Sequence, residues 1–75
     1  MQKGDIVKCI NNSNIPSLRK GKCYILKEIQ SHVYVQVWVN EYECVIAPLN
    51  RFKKATNKEI EQYINDNPDM IVNMF

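Results

Sequence analysis

Glycine is scarce in this 75-residue chain, limited to Gly4 and Gly21. A phosphate-cradling loop needs several glycines within a short span, so nucleotide chemistry of that kind is excluded. Histidine is scarcer still, with His32 alone. No serine or cysteine can be matched to it and to a carboxylate at a spacing that suggests nucleophilic catalysis. Glu41 and Glu43 flank a turn and are expected to be solvated, not to work as a paired acid and base. The cysteines, Cys9, Cys23 and Cys44, are odd in number and widely spaced, with no C-x-x-C pair, which favours reduced core thiols over disulfides or a metal site. No run approaches the roughly 18 apolar residues of a membrane span, and Met1 to Asp5 is too polar for a secretory leader. The expectation is a cytoplasmic, non-enzymatic protein with no metal, no cofactor and no membrane contact, built on the single core that this length allows.

What the chain does have is alternation. From His32 to Val39, Val33, Val35, Val37 and Val39 fall on one side of a period-2 pattern, and His32, Tyr34, Gln36 and Trp38 on the other. That is the signature of a pleated strand, with the valine stripe expected to be buried. Asn40 and Glu41 interrupt it, and Tyr42, Cys44 and Ile46 resume alternation against Glu43 and Val45, which predicts an antiparallel hairpin ending at Ala47-Pro48. The face bearing Tyr34 and Trp38 is either a second packed surface or a place where something binds.

Other strands are expected around this hairpin. Ile6 to Ile10 places Val7 and Cys9 on one face and Ile6, Lys8 and Ile10 on the other. Cys23 to Ile29 is apolar on both faces, as a curved strand or one with a bulge would be. Between them lies a polar loop, Asn11 to Ser17, in which Pro16 excludes regular pairing; Leu18 is expected to tuck in before the basic turn Arg19-Lys20-Gly21-Lys22. Leu49 to Arg51 reads as a short turn and Phe52 to Lys54 as a fifth strand. Thr56 and Glu59 have capping-box spacing, and Ile60, Tyr63 and Ile64 follow at helical intervals, so a helix of two to three turns is predicted, stopped by Asn67-Pro68.

The succession Gly4-Asp5-Ile6-Val7, Gly21-Lys22-Cys23-Tyr24-Ile25-Leu26, a valine-rich hairpin and Leu49-Asn50-Arg51-Phe52-Lys53 resembles the small SH3-like β-barrel proteins of bacteria and bacteriophages over residues 3–54. The resemblance implies a five-stranded antiparallel barrel, mainly β, with a short helical turn before the last strand. It also implies that binding falls on aromatic and polar side chains of the loops and the exposed sheet face, in a fold that hosts protein-binding and nucleic-acid-binding members alike. Residues 1–55 would form the barrel, and residues 56–75 a helix and apolar tail packed on it or extending from it.

Charge divides the chain in the same place. Residues 1–58 hold all ten basic side chains and four acids, a balance of +6, whereas residues 59–75 hold four acids and no base, −4. Either the body meets an anionic partner or the tail folds back and neutralises it. The closing segment is apolar, with Met70, Ile71, Val72, Met74 and Phe75, and surface of that kind has to be covered, by the barrel's own open end or by a second copy or partner. The expected function is that of a small binding protein, of phage or mobile-element origin, which binds and inhibits or modulates a host protein or complex. Its contacts would be Tyr34, Trp38 and Tyr42 on the hairpin and Arg19, Lys20 and Lys22 on the basic turn, since aromatic and arginine anchors carry much of interface energy. Met70, Ile71, Met74 and Phe75 would form a tail contact or a homodimer interface. The alternative is a nucleic-acid-binding regulator that uses the same basic turns and aromatics.

Overall fold

The computed structural model describes residues 1–70. Five strands form one antiparallel sheet: β1 (Ile6–Cys9), β2 (Cys23–Ile29), β3 (Tyr34–Trp38), β4 (Cys44–Pro48) and β5 (Phe52–Lys54), with a 3₁₀ turn (Leu49–Arg51) before the last and a helix, α1 (Asn57–Asp66), after it. The spatial order is β4-β3-β2-β1-β5, so four strands meander and the fifth returns to pair with the first.

Alternation in β1 and β2 is what gives the sheet two apolar faces. Val7, Cys9, Tyr24 and Leu26 point to one side and join Leu18, Val35, Val37, Ala47 and Phe52 in the main core. Ile6 and Ile25 point to the other side, where Ala55, Tyr63 and Met70 cover them. Of the curved strand or bulge expected in β2, a bulge is present: the register against β3 shifts between Leu26 and Glu28, leaving Lys27 as the extra residue. A bulge bends its strand and increases local twist, which lets a sheet curl around one face.

The valine stripe is shorter than its spacing suggests. Val35 and Val37 are fully buried and Val39 packs at the core's margin, but Val33 is 59% exposed. The cause is local. The Ser31 hydroxyl accepts the N–H groups of Val33 and Tyr34 at 3.3 and 3.2 Å, which holds Val33 in a turn ahead of β3. β4 also begins later than the alternation implies and continues through Ala47 and Pro48. Residues 39–43 form a wider loop because Asn40 Oδ1 accepts from the N–H groups of Tyr42 and Glu43 at 2.7 and 2.8 Å, an Asx-type closure that takes Tyr42 out of the ladder. Pro48 is tolerated because β4 is an edge strand and its missing N–H would face away from the sheet. β1 stops at Cys9, and Ile10 is exposed.

The helix is the predicted one. Thr56 accepts from Glu59 N–H while the Glu59 carboxylate accepts from Thr56 N–H, so two backbone donors that a helix start leaves free are satisfied reciprocally. Asn67 terminates it, with both its backbone N–H and its side-chain amide donating to the Tyr63 carbonyl. Part of the acidic end folds onto the basic body, since Lys8 Nζ lies 2.8 Å from Glu59 Oε2.

Candidate partner-binding cleft

The helix covers only part of the second sheet face, and the uncovered part forms a cleft. It has a volume of about 430 Å³. Trp38, Tyr63 and Met70 supply apolar surface, Lys22 comes from the basic turn, Asn40, Glu41 and Tyr42 from the β3–β4 loop, and Asn67 from the end of α1. A second hollow, lined by Gly21, Lys22, Cys23, Glu59, Gln62, Tyr63, Asp66 and Asn67, shares Lys22, Cys23, Tyr63 and Asn67 with the first, so together they make one groove along α1.

Its walls are fixed by hydrogen bonds. In the basic turn, Arg19 N–H donates to the Tyr24 hydroxyl at 2.8 Å, Gly21 N–H to the Cys9 carbonyl at 2.7 Å and Lys22 N–H to the Arg19 carbonyl at 3.1 Å. Gly21 adopts φ +88°, a region that costs glycine nothing. The Asn40 closure holds the opposite wall and leaves Tyr42 88% exposed. Trp38 is half-buried, with the Lys27 ammonium 4.8 Å from its ring centre, a cation–π contact that orients the indole.

Electrostatics in the groove are mixed. The Lys8 ammonium beside Glu59, with help from Thr56 N–H, pulls the Glu59 carboxyl down to about 2, and the same pair raises Lys8. Burial pushes the Tyr63 phenol up to about 12 and raises the Cys23 thiol, so both are neutral in ordinary buffers.

The predicted contact residues divide into groups. Trp38, Tyr42 and Lys22 meet at the cleft. Arg19 and Lys20 lie exposed on the same basic turn. Tyr34 does not join them: it sits four residues from Trp38 along β3, about 13 Å away, in a separate hollow with His32, Val33, Pro48 and Leu49. Met70 is buried in its own chain's second core, which makes it a structural contact, while Ile71, Met74 and Phe75 lie outside the described residues. Of the cysteines, Cys9 is buried and Cys23 and Cys44 half-buried, all as free thiols. Among the described residues no cluster of side chains is arranged to hold a metal, and no helix is long and apolar enough to cross a membrane.

Sequence reasoning missed Tyr63 and Asn67 as cleft residues. A signal existed, because Cys23 and Ile25 make the second face of β2 apolar, and such a face demands a cover that the amphipathic Ile60–Tyr63 pair supplies. No protein-family model, curated protein or solved structure matches the chain.

Proposed function

We propose that the sheet is an SH3-like barrel and that the protein is a non-enzymatic binding module which takes a segment of another protein into the cleft between the β3–β4 loop and α1. The strand order, the 3₁₀ turn before β5 and the return of β5 to β1 support the SH3-like reading. So does the presence of Ala47 and Phe52, one from each edge strand, in a single core cluster, as in a sheet that curls round one core while its two edges stay unpaired.

The observation that carries the functional reading is the convergence of Trp38, Tyr42 and Tyr63 on one cleft whose walls are hydrogen-bonded in place. Aromatic surface around a pocket is the chemistry of interface hot spots, and side chains with two torsions each lose little entropy on binding. The charges favour protein over nucleic acid. Among the described residues Lys22 is the one cation in the lining, and it is accompanied by Glu41 in the cleft and by Glu59 and Asp66 in the adjoining hollow. A polyanion would meet Glu41 and Asp66 there, with Glu59 already paired to Lys8, whereas a polypeptide offers groups of both signs. In this reading the chain acts by occupancy, as a small protein of phage or mobile-element origin that inhibits or modulates a host protein or complex.

Affinity capture from bacterial lysate with the wild type, Tyr42→Ala, Lys22→Glu and Tyr34→Ala as baits tests it. A partner protein retained by Tyr34→Ala and bound at least tenfold more weakly by Tyr42→Ala, a loss of about 1.4 kcal/mol, is the expected result. A partner indifferent to both cleft substitutions would overturn the reading. So would tight binding of single-stranded oligonucleotides at about 150 mM salt, where purely electrostatic contacts weaken.

A further inference from the structure

The two edges of the sheet are unlike. β5 is three residues long and carries Lys53 and Lys54, both exposed, a short charged edge of the kind that discourages pairing with another chain. β4 has five residues and no charged side chain, and its middle residue, Ile46, is 57% exposed.

The register shows which backbone groups β4 presents outward. Val39 N–H donates to the Glu43 carbonyl at 2.9 Å and Leu49 N–H to the Val33 carbonyl at 2.7 Å. Both lie in the same register as the Val37–Val45 and Val35–Ala47 pairs. In an antiparallel ladder bonded pairs alternate with non-bonded ones. Val45 and Ala47 therefore direct their N–H and C=O groups at β3, and Cys44, Ile46 and Pro48 direct theirs away from the sheet. Among the described residues β4 pairs with β3 alone. The outward set is two N–H groups, from Cys44 and Ile46, and three carbonyls, from Cys44, Ile46 and Pro48.

We infer that β4 is a self-association edge, and that two copies of this chain join by antiparallel β4–β4 pairing about a two-fold axis at Ile46. In that register the two Ile46 residues exchange both of their bonds, and each Cys44 N–H meets the Pro48 carbonyl of the other copy. All four outward N–H groups of the pair are satisfied, and Pro48 falls where only a carbonyl is needed. This register also pairs all five residues of β4, whereas a shift in either direction runs the strand into the Asn40–Glu43 loop or past Pro48. The two Ile46 side chains lie side by side on one face, since cross-strand neighbours share a face. The contact is isologous, and closes at two copies.

Sedimentation equilibrium of the full chain between about 10 and 500 µM tests this, with Ile46→Lys and Ile46→Pro as variants and far-UV circular dichroism as the folding control. Lysine sets like charges on the axis, and proline removes an outward N–H that the monomer's own ladder does not use. The expected result is a wild-type mass approaching twice 8.8 kDa as concentration rises. Each variant should retain the wild-type spectrum and dissociate at least tenfold more readily. A wild type monomeric throughout overturns the inference, as does a dimer indifferent to Ile46→Lys. A folded Ile46→Pro variant that dimerises like the wild type also overturns it, because the contact would then not be backbone pairing.

Discussion

Removing Tyr63 should separate the helix from the sheet. The side chain is 8% exposed and shares its cluster with Ile6, Ile25, Ala55 and Met70. A buried tyrosine covers roughly 150 Å² or more; at about 25 cal/mol per Å² that is near 4 kcal/mol, an upper figure because unfolded chains already bury some surface. Allowing for partial collapse of the cavity, Tyr63→Ala should cost roughly 3 kcal/mol. A 75-residue domain is expected to have about 4–11 kcal/mol in total, so the loss is large, equivalent to a fall in Tm of about 12–24 °C. Urea unfolding followed by circular dichroism and by Trp38 fluorescence measures it, and Trp38 also reports locally because it packs on the same cluster. Tyr63→Phe keeps the packing and should stay within about 1 kcal/mol of wild type near neutral pH. The two should diverge in alkali. Burial raises the Tyr63 phenol from 10.0 to about 12, so the neutral form is the one the fold favours; its contribution is complete below pH 10 and is lost as pH rises from 10 to 12. Wild type should therefore lose stability faster than Tyr63→Phe across that window. A Tyr63→Ala variant within about 0.5 kcal/mol of wild type would refute the claim that Tyr63 anchors α1 to the second face.

Further outcomes follow from the same geometry. Thr56→Ala removes the acceptor for Glu59 N–H and should cost about 1 kcal/mol in chemical unfolding. Glu59, lowered from 4.5 to about 2 by Lys8 and Thr56, contributes stability that is present above pH 4.5 and lost as pH falls toward 2; urea midpoints should decline less steeply with acid in Glu59→Gln than in wild type. Val33→Thr should leave the urea midpoint unchanged, whereas Val37→Ala should cost about 2 kcal/mol, because one valine is exposed and the other fully buried.

Element types were legible wherever one local rule operated alone. The alternation in Ile6–Ile10, of which Ile6–Cys9 forms the strand, that in Cys23–Ile29, the apolar second face of β2 and the Thr56–Glu59 box each stated their structure, and the capping box is present as its spacing predicts. Boundaries failed where a side chain competed with the ladder. Ser31 and Asn40 each accept two backbone N–H groups, which withdrew Val33 and Tyr42 from strands that their spacing alone would include. The cleft was half legible. Trp38, Tyr42 and Lys22 stand out in the sequence as aromatic and basic residues, but their meeting depends on β2–β3 pairing and on where α1 lies across the sheet, which are long-range facts. Tyr34 shows the limit from the other side, since parity along a strand puts it on the face of Trp38 without saying that the two are a strand's length apart.

The proposed function requires the cleft beside α1 to receive another protein. A photo-crosslinking amino acid placed at Tyr42, whose exposure lets it be replaced without disturbing the fold, tests this in the cell, with the same residue at exposed Lys53 as the control. A protein adduct formed from position 42 and absent from position 53 is the predicted result. Nucleic-acid adducts at position 42, or protein adducts formed equally from both positions, would contradict it.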